Sequence, residues 1–578
     1  MRQQKPPLGP PRFLRQARGP AAPLRLAAAA LVAASLGSPA ALAGGGTVFS
    51  VYAGPPGWSW SLPSSWVPPQ VPDNFDPVFY VPTIPAGSWV TLSSPVSVNG
   101  LTLGAGAHLG IEDGFSLIGS GSLTVMNAPV LNDGLISLSG ASAATTFRII
   151  GTVELAGRGS LTLDQSGIHQ VLAGANGSTL HNGAGHTIEG SGTLGSGGSP
   201  MALRNDGTVR ATGPQPLVAF LQSPPGASEN HGVMEADQGT LILLLTHVTQ
   251  DVPPAGVIAA GPGGQVWVIG STVVGGTLRA EADESRRLPP GQVQLQAGAR
   301  LVDAALEGDV LVTPGAAVFL EGGLQNDGML RVADVPGGAT LLLPGQLQIT
   351  GAGTLDLGDG GAAQVLPAGP GAALVNGAGH TIRGSGSIGA ASGVALINHG
   401  ALRIPEGGSL ACGAFEQDGG ETDLRGTLDA TGAATLTSGS VTATLAAPPG
   451  EPGAARVTAG GAVHLGGTLI IRRPREFRPT PDQIFTLVEG ASVQGTFAAV
   501  DACDAVELTY GGSTVTLRFL ALEGGGPDID GSGGVDGADL GIVLAQWGPC
   551  SECCAADLDG SGAVDGADLG LLLAAWGG

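Results

Sequence analysis

The phrase VLAGANGSTLHNGAGHTIEGSGTLG, from Val171 to Gly195, returns as VLPAGPGAALVNGAGHTIRGSGSIG from Val365 to Gly389, with 15 of 25 positions identical. The same offset of 194 residues carries NDG from Asn132 to Asn326, and GRGSLTL at Gly157 onto GAGTLDL at Gly351. A block covering at least residues 131–210 and 325–404 is therefore duplicated, and a chain with such internal repeats is read first as a repeat architecture. Within the blocks and on either side of them, short alternating stretches such as SLTV, LISL, TVEL, SLTL and TLII are separated by Gly, Asn or Asp. Each is a strand of three to five residues with period-two apolarity, bounded by residues that accept positive φ. Turns come too often for ordinary sandwich strands, and no helical period lies between them.

Composition narrows the choice. Gly is 100 of 578 residues and charged residues are 12%, yet hydrophobic residues reach 43%. The glycines lack the every-third spacing of collagen, and a disordered chain has more charge and fewer aliphatics. Stacked coils satisfy the pattern: each contributes short strands to parallel sheets, and neighbours complete one another's backbone hydrogen bonds. The expected fold is mainly β, a right-handed parallel β-helix (β-solenoid), with a multi-sandwich array as the competing arrangement. Coils of about 20–24 residues, with strands about 4.8 Å apart, give a rod on the order of 90 Å long. The coil text resembles the β-helical repeats of large secreted bacterial adhesins and autotransporter passengers, which use N-x-G-x-T-I-x-G-x-G phrases. That resemblance implies a structural or adhesive role.

The expected divisions are a signal peptide over 1–43, a Trp/Pro-rich cap over 44–94, and β-helix repeats over 95–467. A β cap over 468–520, a linker over 521–527 and a small domain over 528–578 follow. Arg12, Arg15, Arg18 and Arg25 precede the apolar run LAAAALVAASL, and Ala41 and Ala43 suit a signal peptidase. The expected product is secreted, extracellular or surface-associated, with no membrane span after signal removal; a retained anchor is the alternative. In the first cap, Trp58, Trp60, Trp66 and Phe75 are placed to cover the first coil, with an aromatic sugar platform as the second reading. In the second, Arg472, Arg473, Arg475 and Arg478 are read as a solvated edge strand, with contact to an anionic polymer as the second reading.

The tail carries the strongest chemistry. DIDGSGGVDGADLGIVLAQWG from Asp528 is repeated 29 residues later as DLDGSGAVDGADLGLLLAAWG from Asp557, with 16 of 21 positions identical. An EF-type loop takes oxygen ligands at positions 1, 3, 5, 7, 9 and 12, with Gly at 6 for the bend. The first loop supplies Asp528, Asp530, Ser532, Gly534 (carbonyl), Asp536 and Asp539 around Gly533. The second supplies Asp557, Asp559, Ser561, Ala563 (carbonyl), Asp565 and Asp568 around Gly562. Two calcium ions are expected, and a unit of about 50 residues needs them for stability. Behind each loop a short helix is expected to bury Leu540, Val543, Leu544 and Trp547, then Leu569, Leu572, Leu573 and Trp576.

This duplicated loop–helix unit resembles a type I dockerin, a small α-helical calcium-binding domain with paired EF-hand-like loops. The resemblance covers nearly all of residues 528–578 and includes Asp at position 12. It implies a cohesin-like or other extracellular protein as partner. Departures are Ser532 and Ser561 at position 5, and Gly537–Ala538 and Gly566–Ala567 at positions 10 and 11, where cellulosomal members often carry a hydroxylated pair.

Other signals are weaker. GSGTLG at Gly190 and GSGSIG at Gly384 match a dinucleotide fingerprint only formally, since no helix follows. His186 and His380 are read as solvated turn residues. Cys550, Cys553 and Cys554 lie between the acidic loops, Cys503 is a candidate to pair with one of them, and Cys412 reads as core. A net charge of −23 argues against nucleic acid. No catalytic residue is assigned. Many dockerin-bearing proteins act on polysaccharides, so the alternative is a polysaccharide-degrading hydrolase or lyase. Such an enzyme calls for three or more acids, or an Arg–acid cluster, on adjacent coils lining one groove.

Overall fold

A computed structural model describes residues 46–577 apart from 113–121, 142–143, 166, 225, 251–255, 284, 286, 447–454, 475–476, 478, 480–482, 522–525, 550–554, 560 and 562. The expected signal peptide lies outside the described residues, as do Arg475, Arg478, Gly562 and the Cys550–Cys553–Cys554 cluster. No helix among the described residues is long and apolar enough to cross a membrane.

The chain winds through three parallel sheets, here A, B and C. One coil consists of Ser178–Asn182 in A, Thr187–Gly190 in B and Gly192–Leu194 in C. On the next coil Leu203 pairs with Leu180, Val209 with Ile188, and Ala219 with Leu194. All six point inward and are buried. Alternation sends one set of side chains into the core and leaves the other outside, so every coil repeats the same short pattern. Eighteen strands stack in sheet C among the described residues, which sets the rod at about 80 Å. Corners demand glycine where coils touch: at Gly190 (φ +116°) and Gly384 (φ +114°) a Cβ would collide with the carbonyl oxygen of the coil before, at Leu163 and Gly358.

Parallel pairing starts early, with Gly46–Tyr52 against Val78–Ile84. Trp60 and Trp66 pack edge to face at 4.8 Å, fully buried, and each indole N–H donates to a carbonyl, those of Pro72 and Trp60. Trp58 and Phe75 stay exposed, so two of the four expected aromatics close the end of the rod. At the other end Thr514–Ala521 pairs antiparallel with both Ile484–Glu489 and Ala505–Tyr510, a switch that ends the parallel stack. Here the solvated reading of the arginines is corrected. Arg473 makes a two-pronged contact with Asp504, at 2.7 and 2.8 Å, with both side chains over nine-tenths buried. Arg472 lies 3.0 Å from Asp501. Burial of the guanidinium is tolerated because its charge and donors are matched.

The duplicated blocks do not occupy the same faces. Thr152–Ala156 lies in sheet A, whereas its copy Gln346–Thr350 lies in B; Ser160–Leu163 lies in B and its copy Thr354–Asp356 in C. The second block is turned by one face. The shift passes through Ala317–Asn326, a single ten-residue strand that pairs within both A and B.

His186 and His380 are fully buried, which overturns their reading as solvated residues. Asn132 donates from Nδ2 to His186 Nε2 (3.0 Å), and His186 Nδ1–H donates to Asn182 Oδ1 (2.8 Å). Asn326, His380 and Asn376 repeat this at 3.0 and 2.7 Å. From Asn182 an amide ladder climbs one coil at a time through Asn205, Asn230 and Gln250, with steps of 2.7, 2.8 and 2.7 Å. The copy runs from Asn376 through Asn398 to Gln417. Turn asparagines thus fold inward and meet the corner's buried polar groups, which cannot be left unpaired.

Candidate functional site

Each acidic loop ends in a nine-residue helix, Gly537–Ala545 and Gly566–Ala574. Asp536 and Asp565 cap these helices, accepting from Ala538 and Ala567 N–H at 2.7 Å. Asp539 and Asp568 reach back to the cap backbone (2.8 Å in both) and to the start of their loops. They are fully buried. Asp539 is held below the usual carboxylate range by the Asp536 N–H, with those of Asp530 and Ile529 adding to it against burial. For Asp568 burial pushes upward, but the N–H groups of Asp565, Asp559 and Leu558 outweigh it.

These bonds draw carboxylates together. Asp528, Asp530 and Asp539 form one group and Asp557, Asp559 and Asp568 another, each with ligand atoms within 4.8 Å of one another. Oxygens on opposite sides of one calcium lie about 5 Å apart, so each group fits one ion of its own. Ser532 Oγ lies 3.3 Å from the Gly534 carbonyl and Ser561 Oγ 3.1 Å from that of Ala563. Gly533 supplies the bend at φ +96°. Of the twelve expected positions the structure gathers these six carboxylates, while Asp536 and Asp565 serve as helix caps. Calcium chemistry suits this all-oxygen donor set.

The two units interlock reciprocally. Gly548–Pro549, after the first helix, pairs with Ala563–Val564 in the second loop. Gly577, after the second helix, donates its N–H to the Val535 carbonyl in the first loop at 3.1 Å. Val535, Val543, Ala556, Val564 and Leu572 form the buried core, with Ile529, Leu540, Leu558 and Leu569 packed partly against it. The expected helix stripe is corrected here: Leu544 and Trp547, and equally Leu573 and Trp576, are 46–56% exposed. Loop residues fill the core from the other side, so only half of each stripe finds a partner. What sequence reasoning missed was therefore a matched set of exposed residues, one Leu and one Trp on each unit.

A second site lies on the rod. A cleft of about 560 Å³ opens along sheet B at its corner with sheet A, bordered by His108, Asp133, Arg158, Thr187, Glu189 and Arg210. Arg210 lies 2.5 Å from Glu235 and 3.9 Å from Glu189 on the coils either side. Nothing in the linear text announces it, because each of its charges comes from a separate coil. Cys412 is buried and free, and burial pushes its thiol up to about 12, which suits a core role. Cys503 is disulfide-bonded, with its partner outside the described residues.

The chain matches no protein-family model and no curated protein sequence.

Proposed function

We propose that the chain is an exported, non-catalytic right-handed β-helix rod, structural or adhesive. A dockerin-like tail, folded around two calcium ions, holds it to a cohesin-like or other extracellular protein. The observation that carries this reading is the repeated exposure of a leucine and a tryptophan at the same positions of two interlocked acidic units, Leu544 and Trp547 in the first and Leu573 and Trp576 in the second. Large exposed aromatics repeated on a small domain are characteristic of binding surfaces, where Trp is enriched among the residues that dominate affinity. A tail this small that spends two tryptophans on its exterior gains nothing for its own core.

The test is a capture experiment with the full chain and the secreted proteins of the same cell. A discrete protein is expected to bind in calcium, to leave with chelator, and to be lost with Trp547→Ala/Trp576→Ala. Capture that survives both treatments would remove the reading.

A second reading, a polysaccharide-processing β-helix, is favoured by one observation. Acids and arginines stand on adjacent coils around the sheet B cleft. Arg210 is engaged by Glu189 and Glu235, however, which leaves Asp133 and Arg158 as the cleft's remaining charged pair.

A further inference from the structure

From the arrangement of this cleft we infer that sheet B carries a non-catalytic binding groove for an extended neutral glycan lying along the rod axis. Trp89, His108, Leu135, Ser160 and Thr187 occupy one outward column, each directly paired with the next across five successive coils. The column is straight because the pairing is in register, and its steps are about 4.8 Å, close to the length of one pyranose ring. Its chemistry changes along its length. Trp89 stacks on His108 at 5.4 Å with 19° between the rings, and the residue is 45% exposed. Leu135 follows, then the two hydroxyls. An exposed ring offers a flat apolar bed to the C–H face of a sugar, and the hydroxyls meet the sugar's own.

Both sides of the column carry planar polar groups able to take or give paired hydrogen bonds to adjacent sugar hydroxyls. Asp133 and Arg158 stand on the corner side, where the Arg158 backbone N–H donates to Asp133 Oδ1 at 3.1 Å. The Arg158 guanidinium has no ion-pair partner among the described residues. Glu189 and Arg210 stand on the other side. His108 is fixed by its 2.7 Å contact with Ser137 Oγ, and burial keeps its pKa below the ordinary value, so the platform is uncharged at neutral pH. Asp133 and Glu189 line the cleft with Arg158 and Arg210, and Glu235 pairs with Arg210, so the site has no surplus of positive charge for an acidic polymer. That balance selects a neutral chain.

The duplicated block supplies an internal comparison. At the 194-residue offset Arg158 becomes Ala352 and Glu189 becomes Arg383. Beside Met329, where the first copy has His108 beside Leu135, stands Asp309. The scaffold folds with either set, so the groove residues are not dictated by the coil.

The test titrates the calcium-loaded full chain with cellohexaose, xylohexaose and hexagalacturonate, read by tryptophan fluorescence and calorimetry. A neutral hexasaccharide is expected to bind saturably. Trp89→Ala should weaken it at least tenfold, Trp89→Phe should restore most of the loss, and Arg158→Ala should weaken it several-fold. Arg383→Ala, in the second copy, should change nothing. Thermal unfolding checks that each variant is folded, and Ala352 at the duplicated position is the precedent for Arg158→Ala. Chelator should leave binding intact, which separates this groove from the docking tail. Absence of neutral-sugar binding, wild-type affinity in both Trp89→Ala and Arg158→Ala, or tighter binding of hexagalacturonate would overturn the inference. Release of shorter sugars would overturn it in favour of the processing enzyme.

Discussion

At His186 and His380 the ring nitrogens have opposite roles, one accepting from an amide N–H and the other donating to an amide oxygen. Only the neutral imidazole can do both, since the protonated ring has two donors and no acceptor. Burial accordingly lowers both pKa values from 6.5 to about 4. Above pH 6.5 both folded and unfolded histidines are neutral, and stability does not depend on them. As pH falls from 6.5 towards 4, the unfolded chain takes up protons that the native fold refuses, so stability falls through that window. The loss is about 3 kcal/mol for each histidine by pH 4. Urea midpoints measured from pH 7 to pH 4.5 should decline in the wild type, and the decline should shrink in His186→Gln/His380→Gln even though that variant is weaker at pH 7. An unchanged slope would show that the rings are not the titrating groups. His108 and His247, also lowered by burial, act in the same direction.

Each loop–helix unit of the tail is too small to hold itself together. Its core of five buried residues is shared between the two units, and its acids repel unless a cation lies between them. Removing calcium should therefore abolish most of the tail's helix while leaving the rod intact. Chelator titration followed by circular dichroism at 222 nm, alongside a strand-sensitive signal near 218 nm, separates the two. Asp539→Asn or Asp568→Asn should weaken calcium binding about tenfold or more, because each side chain both closes its ion site and ties down the helix start. Helicity that persists unchanged in chelator would count against a metal-dependent fold. The loops were legible in the sequence because every ligand position falls within twelve residues of chain. The exposed face was not, because a stripe at positions i, i+3, i+4 and i+7 looks the same whether a neighbour covers all of it or half. Val543 and Leu572 found cover, while Trp547 and Trp576 did not, and only the interlocking of the two units decides between them.

Over the whole molecule, the period-two text and the turn glycines were enough to anticipate parallel stacking, but not which face a given strand would join. That assignment depends on the sum of all coil lengths before it, so one strand spanning two faces turns everything downstream. The rotation of the second block by one face implies that the three walls are interchangeable as packing environments. Core positions bear this out: Val171, Leu180, Ile188 and Leu194 in the first copy match Val365, Leu374, Ile382 and Ile388 in the second, all buried at 1% exposure or less. Replacing residues 171–195 by the sequence of 365–389 should consequently preserve the fold. Its one change among those positions, Leu194 to Ile, costs less than about 1.5 kcal/mol, a shift of a few degrees in melting temperature. The same exchange puts Arg in place of Glu189, next to Arg210, and so alters the groove's charge while keeping Val171, Leu180 and Ile188. The chimera is expected to melt close to the wild type and to lose affinity for neutral hexasaccharides. Aggregation, or a drop in melting temperature far beyond a few degrees, would mean that each wall imposes its own packing and that the two copies are no longer exchangeable.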